Sequence, residues 1–240
     1  MHDVEEVSEG VFKLRDKNVG PDVIEYDGGR LYRFMDGFYV RREHLDEMSP
    51  AEVSSLCRAR LGVPQSINPV NKEVKENFRL LTRRLGARNI LEIGAGRHPL
   101  FESAPTGTFY ALADADEEVR GGLTEPNEFN EFSESAPDLK YRDGQFDLIV
   151  AVFVFQFPFY PAQISEVARC LAQDGVLVAN VYRRRIESRI ILKEQFLSSG
   201  LNVKSISDPK KLCRDHEYWV IGRTQENIDE CVKLLLELIG

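Results

Sequence analysis

The segment Asn89-Ile-Leu-Glu-Ile-Gly-Ala-Gly-Arg-His-Pro99 constrains this chain more than any other, because an apolar strand breaks there at two closely spaced glycines. A run such as Ile-Leu-x-Ile suits a strand buried on both faces. Glycines at its carboxyl end let backbone approach a ligand in the crevice where open sheets bind. Around this segment the chain alternates. Apolar runs at 89–93, 108–113, 146–153, 176–182, 203–206 and 218–222 predict strands, with helices over 162–172, 186–199 and 226–238. Val70, Val74, Phe78, Leu81 and Leu85 recur at helical spacing, and Gly86 closes that helix. The pattern is an α/β chain with a mostly parallel sheet covered by helices on both faces.

The first 69 residues read differently and are set apart from 70–240 as an extension. Asp27-Gly28-Gly29 and Met35-Asp36-Gly37 separate alternating apolar runs, which is a hairpin signal, so a small β-meander is expected over 11–42. Ser49-Pro50-Ala51-Glu52 then carries a capping box with proline at the first helical position. That helix is expected to end at Gly62, and 63–69, with two prolines, reads as a linker. There is no internal repeat.

Charge narrows the partners. Lys and Arg number 31 against 39 Asp and Glu, a formal charge of −8, whereas a protein that clamps bare nucleic acid needs a basic face, so DNA is not an expected partner. The most apolar run, 148–159, is far shorter than the ~20 residues that cross a bilayer, so no membrane partner is expected. The opening ten residues carry four acids and no apolar core, unlike an export signal. Cys57, Cys170, Cys213 and Cys231 stand apart without a CxxC pair or a histidine at ligand spacing. Reduced thiols, a cytoplasmic location and no metal are the expectations.

The residues beyond the glycine turn give it a more specific meaning. Asp114 ends the next apolar strand, placed to accept hydrogen bonds from both ribose hydroxyls of an adenosine-containing cofactor. Phe146-Asp147-Leu-Ile-Val opens a buried strand, and Glu166-x-x-Arg169-x-Leu171 precedes Asp174-Gly175. In this order and spacing, over about residues 70–223, the chain resembles the class I S-adenosylmethionine (SAM)-dependent methyltransferases. The resemblance implies a Rossmann-like seven-stranded sheet whose last strand, 218–222, runs antiparallel, and SAM as cofactor with S-adenosylhomocysteine as product. It further implies that the turn Gly94, Ala95, Gly96 faces the methionine part and that Glu92 orients its amino group. Asp114, followed by Ala115, would bind ribose; Ser135 and Ala136 would line adenine; Val152 and Phe153 would lie beside the cofactor.

Several positions depart from that pattern. His98-Pro99 stands where a third glycine is common, which also argues against an NAD site, since a dinucleotide needs that glycine and an open helix N-terminus. Gly121-Gly122 and Pro126 shorten the helix expected after Asp114, the third strand is poorly marked, and Ser135 replaces a frequent Asp. The stretch 152–160 reads as an aromatic wall with Gln156 and Tyr160 as polar points for a small or medium organic acceptor; core packing is the alternative for each phenylalanine. Arg183, first of three arginines, is a candidate to receive an acceptor carboxylate or phosphate, against a solvated loop paired with acids. Tyr39 in the meander is a further candidate, with the meander read as a lid over the acceptor, a homodimer contact or a structural cap. His98 is expected to cap or bond backbone, with action near the acceptor as the alternative, and His44 and His216 to lie on the surface. No side chain is singled out as a catalytic base. Methyl transfer to an O, N or S centre of a small acceptor is the expected function; transfer to a protein or tRNA, or an inactive SAM-binding scaffold, are the alternatives.

Overall fold

The computed structural model describes residues 3–15, 20–35, 37–61, 69–96, 98–115, 128–212 and 215–240. The expectations for Asp36, Gly62, the linker before residue 69, Gly121-Gly122, Pro126 and Cys213 lie outside them. The meander is larger than the sequence implied. To β3 (Val23–Tyr26), β4 (Gly29–Met35) and β5 (Phe38–Val40) it adds β1 (Val4–Ser8) and β2 (Val11–Leu14). All pair antiparallel in the order β1-β2-β5-β4-β3. The capping box forms as the sequence predicts: Ser49 N donates to Glu52 Oε2 at 2.7 Å and Glu52 N to Ser49 Oγ at 3.2 Å, opening α1 (Pro50–Leu61).

From α2 (Pro69–Leu85), closed by Gly86 at φ +64°, the chain builds the main sheet. Its strands are β6 (Asn89–Ile93), β7 (Phe109–Asp114), β8 (Glu128–Glu131), β9 (Phe146–Ala151), β10 (Leu171–Val181), β11 (Asn202–Ser207) and β12 (Glu217–Gly222). Helices α3 (Pro161–Cys170), α4 (Ile186–Ser198) and α5 (Gln225–Ile239) complete it. The spatial order is β11-β12-β10-β9-β6-β7-β8, and β12 runs antiparallel to both neighbours. The order reverses beside β6, so the crevice of an open α/β sheet falls between the ends of β6 and β9.

Alternation along the strands divides two cores. Ile90, Leu112, Leu148, Val150, Val178, Tyr218 and Val220 pack under α2 and α5. Leu91, Ile149, Leu177, Trp219 and Ile221 pack under α3 and α4. Polar residues of the sequence motifs set register. Asp147 Oδ2 accepts from Arg88 N at 2.9 Å and Asn89 N at 3.0 Å, pinning β9 to the start of β6. Arg169 bonds Glu166 and donates to Leu139 O at 3.0 Å and Tyr141 O at 2.8 Å, tying the approach to β9 onto α3.

Three stretches differ from what their local sequence marks. The poorly marked third strand exists as β8, recruited by pairing with β7 rather than by its own composition. Asp174-Gly175, a pair that favours a turn, lies inside β10 as a shift of register against β9. No helix follows the glycines among the described residues: 98–108 is irregular, and Leu100 and Phe101 pack it on the α2 side. Pro99 and Pro105 bracket that stretch, and each lacks the N–H a helix interior needs.

Candidate active site

The turn after β6 is held by backbone. Gly94 N donates to Ala113 O at 2.7 Å, and Gly96 N donates to Asp114 Oδ2 at 2.9 Å, so the glycine turn and the end of β7 form one unit. Gly94 sits at φ +68°, and a Cβ there would stand 2.3 Å from Val154 Cγ2; only glycine lets the segment after β9 come this close. Gly96, at φ +58°, would point a Cβ into open space. Asp114 is 8% exposed, and Ala115 beside it is exposed. A ligand entering the crevice therefore meets bare backbone at Gly96 and a carboxylate already aimed across it. Phe132 N donates to Asp114 O at 2.8 Å and brings the turn after β8 alongside. In that turn Ser133, which no sequence motif singles out, is the organiser: its Oγ accepts from Ala136 N at 3.1 Å and meets Ser135 Oγ at 3.1 Å. Ser135 is exposed and Ala136 half-buried, both at this edge.

Glu92 points to the α2 side and is 1% exposed. Its Oε2 accepts from Leu100 N at 2.8 Å and from the Tyr110 hydroxyl, which also accepts from Phe101 N at 3.4 Å. Burial lifts this carboxyl above the usual range against the pull of Lys75 and its hydrogen bonds. In place of a first helix, Glu92 anchors the irregular 98–101 segment, and Lys75 Nζ holds His98 O. Ala95 is buried beneath.

The end of β9 carries backbone strain. Phe153 adopts φ +61°, a conformation bulky residues rarely tolerate, and its N–H donates to Asn180 Oδ1 of β10 at 2.7 Å. Val152 beside it is buried in the α2-side core. The Phe153 ring meets Tyr182 edge-on at 5.6 Å. Phe155 and Phe159 belong to the other core, and Phe157 meets Phe34 of the meander at 6.3 Å. Gln156 is buried with Oε1 unpartnered among the described residues, and Tyr160 is the N-cap of α3, its N–H donating to Gln163 Oε1 at 3.2 Å.

Two acceptor candidates are placed elsewhere than expected. Arg183 turns to the meander, where Nη1 donates to Arg33 O at 2.7 Å and Phe34 O at 3.3 Å, so its guanidinium docks the N-terminal sheet rather than facing an open loop. Tyr39 is fully buried within that sheet's own core and donates to Pro21 O at 2.8 Å, away from any crevice. Arg184 is buried, pulled down to about 10 by desolvation, and donates to Phe155 O and Phe157 O. Arg185 pairs with Asp46 at 3.2 Å. Arg183 thus seats the meander, and Arg185 the turn at Asp46, on the carboxyl edge of the main sheet, while Arg184 braces the segment after β9.

His216 also departs from the surface reading: it is 5% exposed, with Nδ1 2.8 Å from Asp208 Oδ2 and its ring 4.6 Å from that of Tyr218. The signal was present. The two-residue period that turns Tyr218 and Val220 inward puts His216 on the same face. No cluster of His, Cys, Asp or Glu suited to a metal occurs among the described residues, and no described helix is long and apolar enough to cross a membrane.

The strand order, the antiparallel β12, the glycine turn and the Asp114 carboxylate define the class I methyltransferase architecture. The family profile described as "Methyltransferase domain" matches residues 69–215. The chain belongs to this family and is a SAM-dependent methyltransferase. Among solved structures, the CMeT domain of the citrinin polyketide synthase aligns with a TM-score of 0.50 at 16% identity, covering 73% of this chain and 57% of that one. A SAM-dependent methyltransferase from Aquifex aeolicus aligns with a TM-score of 0.48 at 14% identity, covering 73% and 98%. A TehB-like methyltransferase from Corynebacterium glutamicum gives 0.47 at 14%, also covering 73% and 98%. No curated protein matches the sequence.

Proposed function

We propose that this enzyme methylates a small organic acceptor held over the carboxyl ends of β9 and β10, under a roof formed by the N-terminal sheet β1–β5. The observation that carries the reading is the docking of the meander: Arg183 on the carbonyls of Arg33 and Phe34, Arg185 on Asp46, and Phe34 against Phe157. A covered edge leaves room for a small molecule and little for a folded protein or an RNA helix, and the acidic chain suits neither nucleic acid. The same docking favours the roof role for the extension over a homodimer contact.

The cofactor fits the residues present. SAM supplies a methyl group on a sulfonium, ready for in-line attack. Gly94, Ala95 and Gly96 offer backbone to its methionine part, with Glu92 behind them. Asp114 and Ala115 would meet the ribose, Ser135 and Ala136 would flank adenine, and Val152 and Phe153 would lie beside the cofactor. Gly96 faces open space, as a cradle requires, and Asp114 is already oriented by Gly96 N. Phe153, held by Asn180, shapes the wall shared with the acceptor. Positioning supplies much of the acceleration in such a site. Cys170 and Cys231 are free thiols pushed up to about 12 by burial, which leaves them protonated and unreactive at neutral pH.

The test is an acceptor screen read by S-adenosylhomocysteine release, run beside an Arg183→Ala/Asp46→Ala variant. Turnover of small molecules, with the acceptor KM raised at least several-fold in the variant, supports the reading. Turnover only with protein or tRNA fractions overturns it.

A further inference from the structure

Two polar atoms at the acceptor end of the sheet are buried without partners among the described residues: Asn180 Nδ2 and His216 Nε2. Both side chains point to the α2 face, from adjacent strands, since Asn180 pairs with Tyr218 and His216 immediately precedes β12. Their chemistry is fixed by what their other atoms do. Asn180 Oδ1 accepts from Phe153 N, so the unpartnered atom is the amide nitrogen, a donor. His216 Nδ1 faces the carboxylate of Asp208, so in the neutral ring Nδ1 carries the proton and Nε2 the lone pair, an acceptor. Asp208 is itself held: it accepts from Lys210 N at 3.1 Å and from Leu212 N at 2.9 Å. The aromatic rings of Phe153, Tyr182 and His216 run edge-on across this corner, 5.6 and 6.5 Å between centroids, from the strained end of β9 to the start of β12.

We infer that this corner receives a phenolic hydroxyl, with His216 as general base and Asn180 as the donor that holds the oxygen. The inference rests on the small-acceptor reading above and names its substrate class. A hydroxyl carries both the donor that Nε2 lacks and the acceptor that Nδ2 lacks, and the ring wall suits an aromatic acceptor. The phenol gives its proton to Nε2 while an oxygen electron pair forms the new O–CH3 bond. The C–S bond of the sulfonium breaks with its pair left on sulfur. The imidazolium then returns its proton to solvent, with the Asp208 carboxylate stabilising it meanwhile. Asp208 is a positioning residue.

Burial holds the His216 imidazole below the ordinary histidine range; Asp208 and Glu217 oppose this and Arg189 adds to it. The other polar groups around it are Tyr218 on its own strand and Tyr182 from β10, while Lys210 pairs with Glu73 of α2 outside the corner. At neutral pH the ring is therefore uncharged and basic at Nε2.

The test uses the full-length enzyme. Rates with phenol, catechol, 4-hydroxybenzoate, thiophenol and aniline are measured with SAM, and S-adenosylhomocysteine affinity is measured separately by calorimetry. The expected result is turnover of the phenols, falling at least 100-fold in both His216→Gln and Asn180→Asp, with product affinity changed less than threefold. Asn180→Asp keeps an acceptor for Phe153 N–H, removes the donor and, when ionised, adds a negative charge facing the phenol oxygen. In wild type, 15N spectra of histidine-labelled protein are expected to show Nε2 unprotonated at pH 7, with an apparent pKa that matches the acidic limb of kcat. Turnover of phenols unchanged in either variant, a proton on Nε2, or a kcat profile unrelated to that pKa overturns the base. Turnover of thiophenol or aniline alone overturns the substrate class. Intact product binding with no turnover of any of the five overturns this inference and leaves the small-acceptor reading to stand or fall on the wider acceptor screen. Asp208→Asn should shift the rate profile to lower pH and lower its plateau.

Discussion

The two halves of the main sheet's carboxyl edge are built on opposite plans. Over β6 and β7 polar groups meet one another: Gly94 N on Ala113 O, Gly96 N on Asp114, Leu100 N and Tyr110 on Glu92. Over β10 and β12, Asn180 and His216 each keep one buried polar atom without a partner among the described residues. A buried unsatisfied group costs about 1–3 kcal/mol, so the second half is the less stable arrangement in the absence of a ligand. One half is shaped in advance; the other keeps its hydrogen-bonding capacity for a ligand.

Gly94→Ala is the most disruptive change to the pre-shaped half. It adds a Cβ 2.3 Å from Val154 Cγ2 at a φ of +68°. Left-handed backbone costs roughly 1–2 kcal/mol and overpacking another 1–3. A drop of about 2–5 kcal/mol in chemical denaturation is expected, with S-adenosylhomocysteine binding lost in calorimetry.

The other half answers to pH. Because the folded state holds the His216 pKa below its ordinary value of 6.5, the unfolded chain takes up the proton first. Stability should be free of this penalty above the ordinary histidine range and should decline as pH falls through it toward the depressed value. In denaturation across that window, His216→Gln should flatten the dependence; an unaltered slope would mean the ring is not buried as a neutral base.

Smaller effects separate seating from chemistry. Arg183→Ala removes two hydrogen bonds to the meander, each worth about 0.5–1.5 kcal/mol, or more where the donor is charged. Faster proteolysis of residues 20–40 with unchanged product affinity is the expected result. Arg30→Ala breaks a pair with Glu25 in which both side chains are about two-thirds or more exposed, and no change in melting temperature is expected.

Most of the pre-shaped half was legible in the sequence, because its residues are adjacent in the chain or end an apolar run. Glu92, Gly94, Gly96 and Asp114 announce themselves by position relative to strands. Asp147, Glu166 and Arg169 do so too, and the structure explains them as pins between β6, β9 and α3. The other half was legible only through the two-residue period of β12. His216 sits in the polar run Cys213-Arg-Asp-His-Glu217, which reads as surface until β12 is extended backwards. Asp208, its partner, is eight residues away across a loop. β8 and the role of Arg183 depend on neighbours distant in sequence, on β7 and on the meander carbonyls, and local pattern carries no trace of either.

Everything proposed for this enzyme depends on the crevice at the end of β6 holding SAM through the Asp114 carboxylate at the end of β7, oriented by the glycine turn. The decisive measurement is calorimetric titration of wild type and Asp114→Ala with S-adenosylhomocysteine. One site is expected in wild type, with affinity about 10- to 100-fold weaker in the variant, the range for lost hydrogen bonds to a charged group. Equal affinity in the two proteins, or no binding by folded wild type, would refute that role for Asp114 and the crevice.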